Sequence, residues 1–138
     1  MNLLVAQTDQ VLISGGWQAK LNTAWCDTGN AMSSQEITAF SQEINLAGLL
    51  SYRIAVGRQT QEIFTRLDQA SLTRKMNPAV AQYLIEKGAV VEEARGIAEY
   101  WSNRDVAGLL LMPATRHILS HLNEALRIKK KIVKANKK

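Results

Sequence analysis

The chain has one cysteine, Cys26, so no internal disulfide can staple it, and that usage fits a reducing cytoplasm, the location expected here. Only two prolines and eight glycines punctuate its 138 residues, which leaves room for long helices and argues against many short strands joined by tight turns. No apolar run reaches the roughly 18–20 residues of a membrane span, and no membrane association is expected. The opening MNLLVAQTDQVLISGGW lacks a basic n-region and carries Gln7, Asp9 and Gln10 inside its apolar stretch, so it fits a secretory signal poorly. Repeats and alternating strand patterns are absent as well.

What remains is the composition of an ordinary folded domain, 46% hydrophobic and 21% charged, and its length predicts one domain over residues 1–138. The net charge of +5 is unevenly spread. Residues 116–138 hold eight Lys or Arg against the single acid Glu124, a balance of +7, whereas residues 1–115 hold nine bases against eleven acids, a balance of −2. Basicity therefore belongs to the C-terminal segment, with a tail at about 129–138.

Leu3, Leu4, Val5, Val11, Leu12 and Ile13 read as one short helix over 3–13, ending at Ser14-Gly15-Gly16, where paired glycines permit a left-handed cap. Residues 17–34 read as a loop with one helical turn, in which Asp27-Thr28-Gly29-Asn30 is turn chemistry. Ser33 and Glu36 fit a capping box. The strongest helical pattern follows: Ile37, Phe40, Ile44, Ala47, Leu50, Ile54, Phe64 and Leu67 predict a long helix near 34–67. Gly48 and Gly57 lie inside it at a cost of about 1 kcal/mol each, and are expected to mark close approach of a neighbouring helix. Asn77-Pro78 supplies a capping side chain ahead of a proline. Residues 80–101 predict one helix broken at Gly88. Asn103 is expected to cap a short corner docked by Val106, Leu109 and Leu110, and the final helix to begin at or within two residues of Pro113. The fold class predicted is all-α, a helical bundle.

That final helix holds the only two histidines, His117 and His121. Residues four apart on a helix point the same way, about 6 Å from one another. Two imidazoles so placed can bind one transition metal, each through one ring nitrogen, but supply only half of a tetrahedral set. Ile118, Leu119 and Ser120 stand between them, which excludes the glutamate of a His-Glu-x-x-His metalloprotease. Glu124 and Ile128 continue the histidine stripe, and Ile118, Leu122 and Ala125 flank it, placing the pair at the edge of the face expected to be buried. The alternative is two boundary residues bonded to backbone or carboxylates, without metal.

The stretch LLLMPATRHILSHLNEALRIKK resembles the last-helix region of the DinB/YfiT-like superfamily, four-helix bundles with a three-histidine metal site. The likeness is clearest over 101–130, with looser support from 34–67. It implies a four-helix-bundle relative, His117 and His121 as the two last-helix ligands, a zinc or nickel ion, and thiol-transferase or hydrolase chemistry. The family's third histidine comes from an earlier helix, and this chain has none there; a usual first helix is missing too, as if the chain began within the second. The counterpart of the lost ligand would lie near Gln7, and substitutes would be Glu36, Glu43, Glu124 or a group from a second chain.

Two functional classes follow. One is a DinB-like protein of unassigned role using His117 and His121; the other is a metal-free helical binding or interaction module. With no third histidine, a metal-poor protein is expected. Whether the chain is an enzyme, and which small molecule it takes, stay open. About three helices of a four-helix pattern leave an apolar face uncovered, so a homodimer is expected, with the first segment at or near the interface. Cys26, between Trp25 and Asp27, lacks the cationic surroundings of a nucleophile. Trp17, Trp25 and Trp101 are expected in the core or an interface, with the lining of a ligand pocket as the alternative. Arg53, near the apolar side of its helix, is expected to pair with Glu36, Glu43 or Glu99, with an anion-binding arginine as the alternative, and Arg58 lies on the same helix. The basic tail lacks interleaved aromatics for base stacking and suits the helix macrodipole, so a solvated tail is expected and a nucleic-acid partner is not.

Overall fold

The computed structural model describes residues 1–112 and 117–136. The fold is all-α: the described residues contain helices and no strand, apart from one isolated antiparallel bridge between Lys75 and Asp105.

The expected helix over 3–13 is split. A π-helical turn spans Asn2–Ala6 and ends at Gln7 in the left-handed region (φ 54°), and α1, Val11–Ser14, follows after a short extended link. At the break the Thr8 N–H donates to the Asn2 carbonyl (3.1 Å) and the Asn2 side-chain amide donates to the Asp9 carbonyl (3.1 Å), while Leu3 is buried in one core cluster and Val5 in the other. Gly16 adopts the left-handed conformation (φ 60°) expected of the glycine pair, and α2, Trp17–Leu21, follows it.

The long helix predicted near 34–67 is two helices, α3 (Ser34–Glu43) and α4 (Leu46–Thr65). The capping box opens α3 as expected, with the Ser33 side chain accepting from the Glu36 N–H and the Glu36 carboxylate accepting from the Ser33 N–H. The interruption at Ile44 and Asn45 has a tertiary cause. The Asn45 N–H donates to the Leu21 carbonyl (2.9 Å), its side-chain amide donates to the Lys20 carbonyl (3.1 Å), and its side-chain oxygen caps α4 at the Gly48 N–H (3.1 Å). The end of α2 thus captures Asn45 and turns the chain. Gly48 marks the close approach expected of it, since a Cβ there would meet the Lys20 carbonyl at 2.7 Å. Gly57 does not: its nearest neighbour is the Arg53 side chain at 3.6 Å.

Asp68 caps α5, Gln69–Thr73. The Asn77 side chain accepts from the Ala79 N–H (2.9 Å) just ahead of α6, Val80–Glu86. Gly88 (φ 64°) breaks the helical run where expected, and a 3-10 turn at Glu92–Ala94 leads into α7, Arg95–Ser102. The cap of α8, Val106–Leu111, is Asp105 and not Asn103. Asp105 accepts from the Gly108 N–H (2.8 Å), while Asn103 donates back to the Glu99 carbonyl (2.9 Å), closing α7 instead.

Two clusters form the core. One joins Leu3, Leu84, Val90 and Ala98; the other joins Val5, Ile63, Met76, Val106, Leu109 and Leu110, and Leu4 and Trp101 pack against both. Arg74 ties the first segment down by donating to the Val5 carbonyl (3.2 Å). The last helix, α9, runs His117–Ala135 and has no buried residue, so the face expected to be buried is exposed. The expected start at Pro113 lies outside the described residues. The basic stretch from residue 129 continues this helix through Ala135 with its side chains exposed.

Candidate functional site

Three features converge at the start of α9: a histidine pair, an apolar cavity and two uncovered helix faces. At 100° per residue, Ile118, Leu119, Leu122, Ala125, Leu126, Ile132 and Val133 share one side of α9, with Lys129 among them. Asn123, Arg127, Lys130, Lys131 and Lys134 share the other. Leu119 (61% exposed), Leu122 (55%) and Ile132 (55%) have no cover. Helix α4 is apolar over more of its circumference than the core can use. Ile63 is buried, yet Leu50 (66% exposed) and Ile54 (49%) face outward.

The structure brings His117 and His121 together. Their Nε2 atoms are 2.8 Å apart and their rings 4.4 Å apart, centroid to centroid, tilted by 33°. Two nitrogens on one tetrahedral zinc stand roughly 3.3 Å apart, given Zn–N bonds near 2.0–2.1 Å. The pair can therefore chelate with a small ring adjustment. Beyond that the residues present do not fit a three-histidine site. Glu124 approaches Nδ1 of His121 (3.9 Å), the far nitrogen of that ring, where it can orient the imidazole but cannot share an ion held at Nε2. No group of three or more His, Cys, Asp or Glu side chains suited to a metal occurs among the described residues, so Glu36 and Glu43 do not complete the set. Gln7 is not the counterpart either. It lines a separate pocket with Asn77 and Tyr83, whereas Asn2 and Gln10 share a cavity with His117.

That cavity, of about 280 Å³, is walled mainly by Leu4, Tyr52, Val56, Leu84, Trp101 and Leu109. Beside it a groove of about 920 Å³ follows α4, sharing Tyr52 and Val56 and adding Leu49, Arg53, Thr60 and, from α9, Ile118. Burial raises the Tyr52 hydroxyl pKa, so this group stays protonated and neutral there. Tyr52 also leans on Trp17 (5.6 Å between centroids), over whose ring Lys20 lies at 4.5 Å. Arg53 is exposed, and none of the ion pairs among the described residues joins it to Glu36, Glu43 or Glu99 as expected. Trp101 is a core residue as expected, Trp25 is half-buried, and Cys26 is a half-buried thiol.

Sequence reasoning found the histidines and missed the cavity. Its walls come from the first segment, α4, α6, α7 and α8, and no local pattern announces that Tyr52 and Val56 will face Leu84 and Trp101. No family model, no curated protein and no solved structure matches the chain.

Proposed function

We propose that the chain is a metal-free helical interaction module that works as a homodimer, α9 of each copy lying across α3 and α4 of the other. The observation behind this reading is the state of α9: 19 residues, strongly amphipathic, none buried. A solitary helix of this length is marginal in water, because most helical stability comes from packing an apolar face. The exposed apolar side chains of α9 together with Ile37, Leu50 and Ile54 offer roughly 800–900 Å², comparable to the about 800 Å² per partner of a stable interface. In a two-fold dimer each copy supplies both surfaces. Helix α9 carries Arg127, Lys129, Lys130, Lys131 and Lys134 against Glu124 alone, with Lys129 on its apolar side, while α3 and α4 together carry Glu36, Glu43 and Glu62 against Arg53 and Arg58. The first segment, expected at the interface, is anchored in the core through Leu3 and Val5 and leaves Ile13 (46% exposed) as its outward apolar residue. Sedimentation equilibrium at micromolar concentration is expected to give the dimer mass; a monomer there overturns the reading.

A second reading is carried by the 2.8 Å approach of the two Nε2 atoms. In it, His117 and His121 hold a zinc or nickel ion as half of a site, in keeping with the DinB/YfiT-like resemblance of the last helix. Elemental analysis of untagged protein separates the two readings.

A further inference from the structure

We propose that the cavity beneath the start of α9 takes the alkyl chain of a medium-chain carboxylate, whose head group pairs with Arg53 in the adjoining groove. The walls give the chain. Leu4, Val56, Leu84, Trp101 and Leu109 form the apolar wall of an open cavity of about 280 Å³, which Asn2, Gln10, Thr28 and His117 also line. A mainly apolar cleft with a few polar groups is the usual form of a small-molecule site. At roughly 30 Å³ for each small group, the space accommodates a chain of about eight to ten carbons.

Arg53 gives the head group. Among the described residues lining the cavity and the groove it is the one arginine, lysine or carboxylate side chain. No ion pair among the described residues engages it. Its own helix brings it beside Tyr52 and Val56, which belong to both spaces, so a chain entering past these two leaves its polar end near the guanidinium. A cation with no ion-pair partner among the described residues favours an anion, and a carboxylate matches the fork of guanidinium donors. An amine would find no carboxylate among the described residues of either lining. The cavity lies within one chain, whereas the groove that holds Arg53 is lined by Leu50 and Ile118, which the proposed dimer also uses, so the head-group contact rests on that groove staying open in the dimer.

Calorimetric titration with hexanoate, octanoate, decanoate and tetradecanoate, each below its aggregation concentration, tests it. Affinity is expected to rise about fourfold per added methylene up to decanoate, following the transfer of each methylene out of water, and then to level off when the chain outgrows the cavity. Arg53→Gln, at an exposed position, is expected to weaken decanoate at least fivefold and to leave decanol unchanged. A decanoate brominated on its chain is expected to quench the fluorescence of Trp101, with Trp101→Phe removing most of that quenching. No saturable binding at millimolar decanoate, affinity indifferent to chain length, or an Arg53→Gln effect equal for decanoate and decanol would each overturn the proposal.

Discussion

Replacing Leu126 by alanine separates an interface role for α9 from a folding role. Leu126 is 54% exposed in the single chain. Full burial of a leucine is worth about 1.5–3 kcal/mol, so covering the exposed half adds about 1 kcal/mol, most of which the truncation removes. A two-fold dimer carries the change twice, giving a loss of about 2 kcal/mol, or roughly a 30-fold rise in the dimer dissociation constant. The fold of the single chain should barely notice, since α9 buries no residue and exposed substitutions usually move stability by less than about 0.5 kcal/mol. Leu109→Ala is the contrast. Leu109 is 1% exposed, and its truncation should cost about 2–5 kcal/mol of unfolding free energy whatever the oligomeric state. Sedimentation equilibrium over a concentration series reads the first effect, and urea unfolding at a concentration below dimer dissociation reads the second. If Leu126→Ala leaves self-association unchanged, or lowers monomer stability by 2 kcal/mol or more, then α9 packs on its own chain and the interface argument fails.

Other outcomes follow from local geometry. Gly48→Ala should destabilise by roughly 1–3 kcal/mol, because the new Cβ would meet the Lys20 carbonyl at 2.7 Å and backbone must shift. Gly96→Ala, on α7 with nothing within 4 Å of its Cβ, should instead stabilise by about 0.5–1 kcal/mol; urea midpoints with the two changes in the same direction would refute the contrast. Asp105 is held below its ordinary value of 3.8 by the Gly108 N–H and then Lys75, Asp68 below 3.8 by Ser71, and Glu36 below 4.5 by Ser33. Because the folded pKa values lie below the unfolded ones, their stabilisation is complete above about pH 4.5 and lost as pH falls through the folded values, so thermal midpoints should drop below pH 4 and hold steady from 5 to 7. Untagged protein purified without chelator should carry well under one equivalent of zinc or nickel. Stoichiometric metal, lost in both His117→Ala and His121→Ala, would overturn the metal-free reading.

Composition and period by themselves determined the helical class, the capping box at Ser33 and Glu36, the break at Gly88, the burial of Val106, Leu109 and Leu110, and the meeting of the two imidazoles. These depend on neighbours within about four residues, or on a residue type that carries its own constraint: a glycine at positive φ, a hydroxyl three residues before a glutamate, a helical repeat that stacks His117 on His121. Only the tertiary structure decided where helices stop and which apolar faces find cover. The run over 34–67 keeps its period through residue 45, and nothing local foretells that the Leu21 and Lys20 carbonyls will take hold of Asn45 and divide it. Val11, Leu12 and Ile13 fall into a second helix beyond the turn that the Asn2 carbonyl and side chain close at Thr8 and Asp9. The same limit explains α9. Periodicity reports that a face is apolar, whereas burial depends on what another part of the chain places opposite it, and here the described chain places nothing over that face.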